Sequence, residues 1–212
     1  MAWLCLNGSR KGDGDVKLRM LAAVLVAVVF PATAADDGAR FTSFLGLRLN
    51  IGTLNEVQAR LGKARLIESS DSGDYEARIC YLGSNGVVSF VSSSPRLELS
   101  GIEVREAVTG TAEGCRELHG RYADQSKQFG GLRLGMSKAE FVALLGEPVR
   151  WDGDAGERLY ESEQKMTADE RGLFRDSPEL LSRGTFNVMV TVTGTFVQDR
   201  LVGFRVWKVV SA

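Results

Sequence analysis

Two stretches of the chain place apolar and polar residues in nearly the same order: GLRLNIGTLNEVQARLGKA over residues 46–64 and GLRLGMSKAEFVALLGEP over residues 131–148. In the second, Ser137 and Glu140 have the S-x-x-E spacing of a capping box, in which hydroxyl and carboxylate each satisfy the other's free backbone N–H. Met136 ahead of the cap and Phe141 behind it have the spacing of a hydrophobic staple. Phe141, Leu144 and Leu145 then form one stripe at i, i+3, i+4. Gly146 is the expected left-handed stop, and Pro148 prevents a restart. The first stretch repeats the scheme: Thr53 and Glu56 are the box, Leu54, Val57 and Leu61 the stripe, and Gly62 the stop. Helices of about two turns are marginal alone, so each needs a surface to dock on.

That surface follows each helix. Residues 75–82, 87–93 and 97–107, and then 157–163, 185–196 and 201–210, alternate apolar and polar positions and are rich in β-branched residues, as half-buried antiparallel strands are. In TFNVMVTV, Phe186, Val188, Val190 and Val192 face one way, and the residues between them face the other. The expected fold is therefore α+β: two tandem units, each a short capped helix followed by a three-stranded meander, packed as one or two small domains. The first unit spans residues 35–109 and the second 129–212, joined by a polar linker over 110–128. The second carries an excursion at 164–184, with a short helix starting at Ser177-Pro178 and stopping at Gly184.

The first 34 residues follow another rule. Lys17 and Arg19 precede a ten-residue apolar run, LAAVLVAVVF, which leads to Ala32-Thr33-Ala34. Basic start, short apolar centre and Ala-x-Ala define a cleavable export signal with cleavage after Ala34. A spanning helix needs about 20 apolar residues, twice this run. Residues 1–15 serve no purpose in such a signal, and a start at Val16 gives a compact one. The expected address is periplasmic or secreted. Cys5 leaves with the signal, and Cys80 and Cys115 remain; in an oxidising compartment an isolated pair is read as a disulfide.

Composition excludes some functions. With 44% hydrophobic and 25% charged residues the chain is ordinary globular protein, and its net charge of −1 gives no basic excess for a nucleic-acid backbone. Nothing proposes catalysis. His119 is the single histidine, in a polar stretch. Ser162 and Lys165 match S-x-x-K without its companion motifs. Asp152, Asp154 and Glu157 fail the calcium-loop pattern. No cofactor or metal is expected.

A binding module is the better expectation. On the last strand Val202, Phe204 and Val206 are the expected core set. Arg205 and Trp207 then emerge opposite, as an aromatic beside a guanidinium, with Tyr160 as a third candidate. Either the inserted helix or a partner covers Trp207, and the sequence leaves both open.

The motif at Gly135-Met136-Ser137 with Glu140 and Leu145-Gly146, followed by antiparallel strands in an exported chain, resembles the SmpA/OmlA (BamE-like) superfamily. Its duplication resembles the architecture of the β-lactamase inhibitor protein. The shared motif is structural and carries no catalytic residue. The resemblance implies a non-catalytic protein-binding role in the bacterial envelope, an envelope protein as partner, or inhibition of a hydrolase. A small-molecule or cell-wall-fragment binder using the 164–184 excursion is a further alternative. The chain lacks the lipidated cysteine of the outer-membrane members, and it carries two copies of the unit where they carry one.

Overall fold

The computed structural model describes residues 38–71, 74–107, 114–173 and 175–211; the expected export signal, residues 1–34, lies outside them. Along the chain come β1 (Ser43–Phe44), β2 (Leu47–Arg48), α1 (Leu54–Leu61), β3 (Ile67–Asp71), β4 (Asp74–Leu82), β5 (Val87–Ser92), β6 (Gly101–Arg105), β7 (Arg116–Glu117) and α2 (Arg121–Gln125). There follow α3 (Lys138–Leu145), β8 (Arg150–Asp152), β9 (Ala155–Lys165), α4 (Ala168–Leu173), α5 (Pro178–Arg183), β10 (Thr185–Val197) and β11 (Arg200–Ser211).

The repeated motif folds as two capped helices. Thr53 Oγ1 accepts from the Glu56 N–H, and the Glu56 carboxylate accepts from the Thr53 N–H, both at 3.2 Å. Ser137 and Glu140 do the same at 3.2 and 2.7 Å, and these bonds hold the Glu140 pKa below its ordinary value. Each helix buries one side: Leu54, Val57 and Leu61 of α1, and Phe141 and Leu145 of α3. The stops differ from a left-handed helical cap. Gly62 has φ 95°, ψ 158°, and Gly146 has φ 74°, ψ 164°, a region open essentially to glycine alone. Replacing Thr53 or Ser137 with alanine is expected to cost about 1 kcal/mol each. Denaturant unfolding checks this, and an unchanged midpoint in both variants contradicts it.

The strands correct the expected architecture. Two helix-plus-three-strand units are not present. Instead one antiparallel sheet runs β3-β4-β5-β6-β11-β10-β9-β8, with the short parallel strand β7 added beside β4. Each half has four strands in this path. The extra ones, β3 (IESSD) and β8 (RWD), are edge strands too polar or too short to show an alternation. The halves join where β6 pairs with β11 from Gly203↔Arg105 to Trp207↔Gly101. Left apart, each would expose an unpaired backbone edge carrying valine, isoleucine and phenylalanine; pairing removes both edges. Ile102 and Val206 face each other across this seam and are fully buried. The described strands of both expected units accordingly belong to one continuous sheet.

The core lies on the face that carries α1 and α3. Phe186, Val188, Val190 and Val192 line it from β10, and Ala77, Ile79 and Tyr81 from β4. The Tyr81 hydroxyl donates to the Gly62 carbonyl at 2.7 Å, tying β4 to the end of α1, and burial raises its pKa to about 12. Gly194 leaves room for the ring of Phe141; a Cβ there would lie 2.8 Å from Cε2. Gln198 and Asp199, both with positive φ, make the two-residue turn from β10 to β11. The Asp199 carboxylate accepts from the Lys138 N–H at the start of α3.

Candidate functional site

Alternation along β11 divides its side chains. Phe204 and Val206 are buried against the core, whereas Val202, expected with them, is only partly buried and Leu201 is fully buried, because the register shifts opposite Thr195 and Phe196. Beyond that shift Arg205 and Trp207 emerge on the face without α1 and α3. Both are partly exposed. Trp207 stands across from Gly101, and the missing side chain lets the indole lie down on β6: a Cβ at residue 101 would come within 2.2 Å of Trp207 Cε3. The Arg205 guanidinium sits 4.2 Å from the indole centroid. Such a stack is worth about 0.5–1 kcal/mol at an exposed site. It also holds a long, flexible side chain in one orientation.

A ladder of charges fixes the other side. Arg205 Nε lies 3.9 Å from Glu103 Oε1, and Glu103 Oε2 lies 3.5 Å from Arg78 Nη1. Arg78 in turn pairs with Glu76 at 2.7 Å. Among the described residues, Arg205 Nε is a buried donor with no hydrogen-bond acceptor. A hollow of about 460 Å³ reaches Arg205 and Trp207 from the side of Glu76 and Pro95, and another of about 330 Å³ reaches Arg205 from Thr193 and Thr195. The arrangement presents a flat aromatic, an oriented guanidinium and two shallow recesses. These are the features that anchor a protein partner.

Tyr160 does not share this surface. It pairs with Val190, whose side chain is core, so its ring points to the helix-bearing face and is 4% exposed. Its hydroxyl donates to the Leu145 carbonyl at 2.8 Å, and its ring packs on Phe41 at 5.8 Å. Its position is structural.

Cys80 and Cys115 are bonded to each other, with Cα atoms 4.8 Å apart. Cys80 alternates with the buried Ile79 and Tyr81, so the bridge lies on the same face as Arg205 and Trp207. His119 is exposed. Asp154 pairs with Lys138 at 3.0 Å, and Ser162 Oγ accepts from Gln164 within β9. Among the described residues, no group of three or more His, Cys, Asp or Glu is placed to hold a metal ion, and no helix is long and apolar enough to cross a membrane.

Two buried charges escaped sequence reasoning. Lys208 of β11 and Glu170 of α4 are each 5% exposed. Glu170 closes a third capping box with Thr167. Burial lowers the Lys208 pKa, the charge of Glu170 acts to raise it, and Arg48 acts to lower it. The signal for Lys208 was its parity with Phe204 and Val206.

No family model matches the chain, and no curated protein matches it. Among solved structures it is similar to a Streptococcus mutans protein described as a "putative beta-lactamase inhibitor protein", at 12% identity and a TM-score of 0.25, with 75% of this chain and 82% of that chain covered.

Proposed function

We propose that this chain is an exported envelope protein that binds another protein through the face carrying Arg205 and Trp207, and that it catalyses no reaction itself. The observation that carries this reading is the Arg205–Trp207 stack: an oriented guanidinium with an unbonded, buried Nε beside a partly exposed indole. A partner supplying an acceptor to the partly exposed guanidinium and an apolar surface to the indole fits both. The strand that carries the stack is paired on both sides, by β6 and β10. Export is supported by the order of charge, apolar run and Ala-x-Ala in residues 17–34, and by the disulfide. The capped-helix motif at Gly135-Met136-Ser137 supports a kinship with the SmpA/OmlA superfamily.

The test is affinity capture from an envelope extract, with wild-type protein as bait and Trp207→Ala as the control bait. Outer-membrane assembly proteins retained by the wild type alone support the envelope-assembly role. A single hydrolase that loses activity on binding makes the protein an inhibitor instead. Identical recovery by both baits removes this face from the account. Export has its own check: N-terminal sequencing of protein from the envelope fraction is expected to begin at Ala35. Full-length chain retained in the cytoplasm contradicts it.

A further inference from the structure

A second site adjoins that face and shares Trp207 with it, where two paired strands separate. β6 and β11 run together as far as Trp207↔Gly101, with one more bond from the Lys208 N–H to the Ser100 carbonyl at 3.0 Å. Upstream of Ser100 the chain turns away. Its Leu97 and Leu99 carbonyls accept from the N–H groups of Leu54 and Asn50, at 2.8 and 2.7 Å. β11 nevertheless continues to Ser211, held from the other side by β10 through Val210↔Val188 and Ser211↔Asn187.

Parity fixes what the separated stretch presents. In an antiparallel ladder, alternate residues aim their backbone groups at alternate neighbours. The Val202 carbonyl accepts from the Glu106 N–H, and the Lys208 N–H donates to Ser100, so even-numbered residues of β11 aim at the β6 side. Val210 therefore aims its N–H and carbonyl into the gap that β6 has left. An unpaired strand edge is a template for an added strand.

The gap has walls and a charge. Its volume is about 390 Å³, with Lys208, Val210 and Trp207 on one side and Arg96 and Ser100 on the other. The Lys208 side chain is almost wholly buried. Its charge is favoured by the buried carboxylate of Glu170 and opposed by Arg48, and neither of these residues lines the gap. Arg96 is 69% exposed and only loosely paired, 3.8 Å from Asp176 of the excursion. A buried cation, an exposed one and a free strand edge converge on a space too small for a folded domain.

We propose that this gap captures the free C-terminal end of an extended peptide, whose backbone pairs with Val210 and whose terminal carboxylate is held by Lys208 and Arg96. A lone small anion would use the two cations and leave the strand edge idle. Glu98 and Asp176 also line the gap and repel acidic side chains upstream, so the fitting peptide carries its negative charge at its end alone. Trp207 and Val209 favour an apolar last residue. The site shares Trp207 with the Arg205 face, but the strand edge at Val210 and the cations Lys208 and Arg96 belong to the gap alone.

Calorimetric titration with N-acetyl-Ala-Ala-Val, as the free acid and as the C-terminal amide, tests the proposal on the purified protein. The acid is expected to bind saturably, and the amide at least tenfold more weakly. Lys208→Met is expected to reduce the acid's affinity to that of the amide. Should that variant fail to fold, Arg96→Gln, an exposed change, is expected to weaken the acid by at least threefold and to leave the amide unchanged. Equal affinity for acid and amide, no binding of either, or acetate or galacturonate binding as tightly as the peptide overturns the proposal.

Discussion

Replacing Cys80 and Cys115 together with serine is expected to lower the stability of the fold by about 4 kcal/mol. The bridge closes a loop with a sequence separation of 35. In the chain-entropy model, releasing a loop of that length frees about this much conformational entropy in the unfolded chain. The location adds to the effect. Cys115 leads directly into β7, whose two residues pair with Tyr81 and Leu82 of β4. A two-residue strand contributes little by itself, so the bridge joins the buried Leu118 and the Arg116–Lys63 hydrogen bond in holding this segment on the sheet. Denaturant unfolding of the wild type, the reduced wild type and the double-serine variant measures the effect. The reduced protein and the variant are expected to agree, and a loss below about 1 kcal/mol in both contradicts the reading.

Ile102→Ala is expected to cost about 3 kcal/mol and to leave a single cooperative transition. Ile102 is fully buried, pairs with Phe90 on one side and Val206 on the other, and belongs to the seam where the two halves become one sheet. Truncating a buried isoleucine removes its transfer free energy and leaves a cavity, for a total of about 2–5 kcal/mol. The neighbours here are themselves fully buried strand residues with little freedom to collapse inward. The shape of the transition matters as much as its midpoint. If the halves were independent units, weakening the seam would let them melt separately. Coincident transitions by near- and far-ultraviolet circular dichroism are expected, and two resolved steps contradict the continuous sheet.

The caps were legible in the sequence because they are local: three residues of spacing suffice to place Thr53 with Glu56 and Ser137 with Glu140. The parity of β10, and of β11 from Phe204 onward, was legible because Val and Phe alternate with polar residues over many positions; the irregularity that buries Leu201 in place of Val202 was not. Strand partnership was not. Nothing in residues 101–105 or 203–207 says that the two halves pair with each other, since an edge strand reads the same whether or not another strand lies beside it. The face of Tyr160 follows from its register with Val190, which only the paired structure supplies. The helix α4 was missed although Thr167 and Glu170 have the capping spacing, because no apolar stripe follows them. Lys208 was passed over because a lysine suggests solvent, yet it follows Phe204 and Val206 into the interior. Of the three candidate binding residues, alternation placed Arg205 and Trp207 together, and register placed Tyr160 among the core.

The most direct test of the central claim compares two quantities on one variant, Arg205→Ala with Trp207→Ala: affinity for the captured partner and unfolding free energy. Both side chains are partly exposed, and Gly101 beneath the indole needs no filling, so the fold is expected to lose about 1 kcal/mol. Binding is expected to weaken by about 2 kcal/mol or more, as at the anchor of a protein interface. Unchanged affinity together with a stability loss of about 3 kcal/mol or more would make the pair structural and contradict the claim that this face is where the protein works.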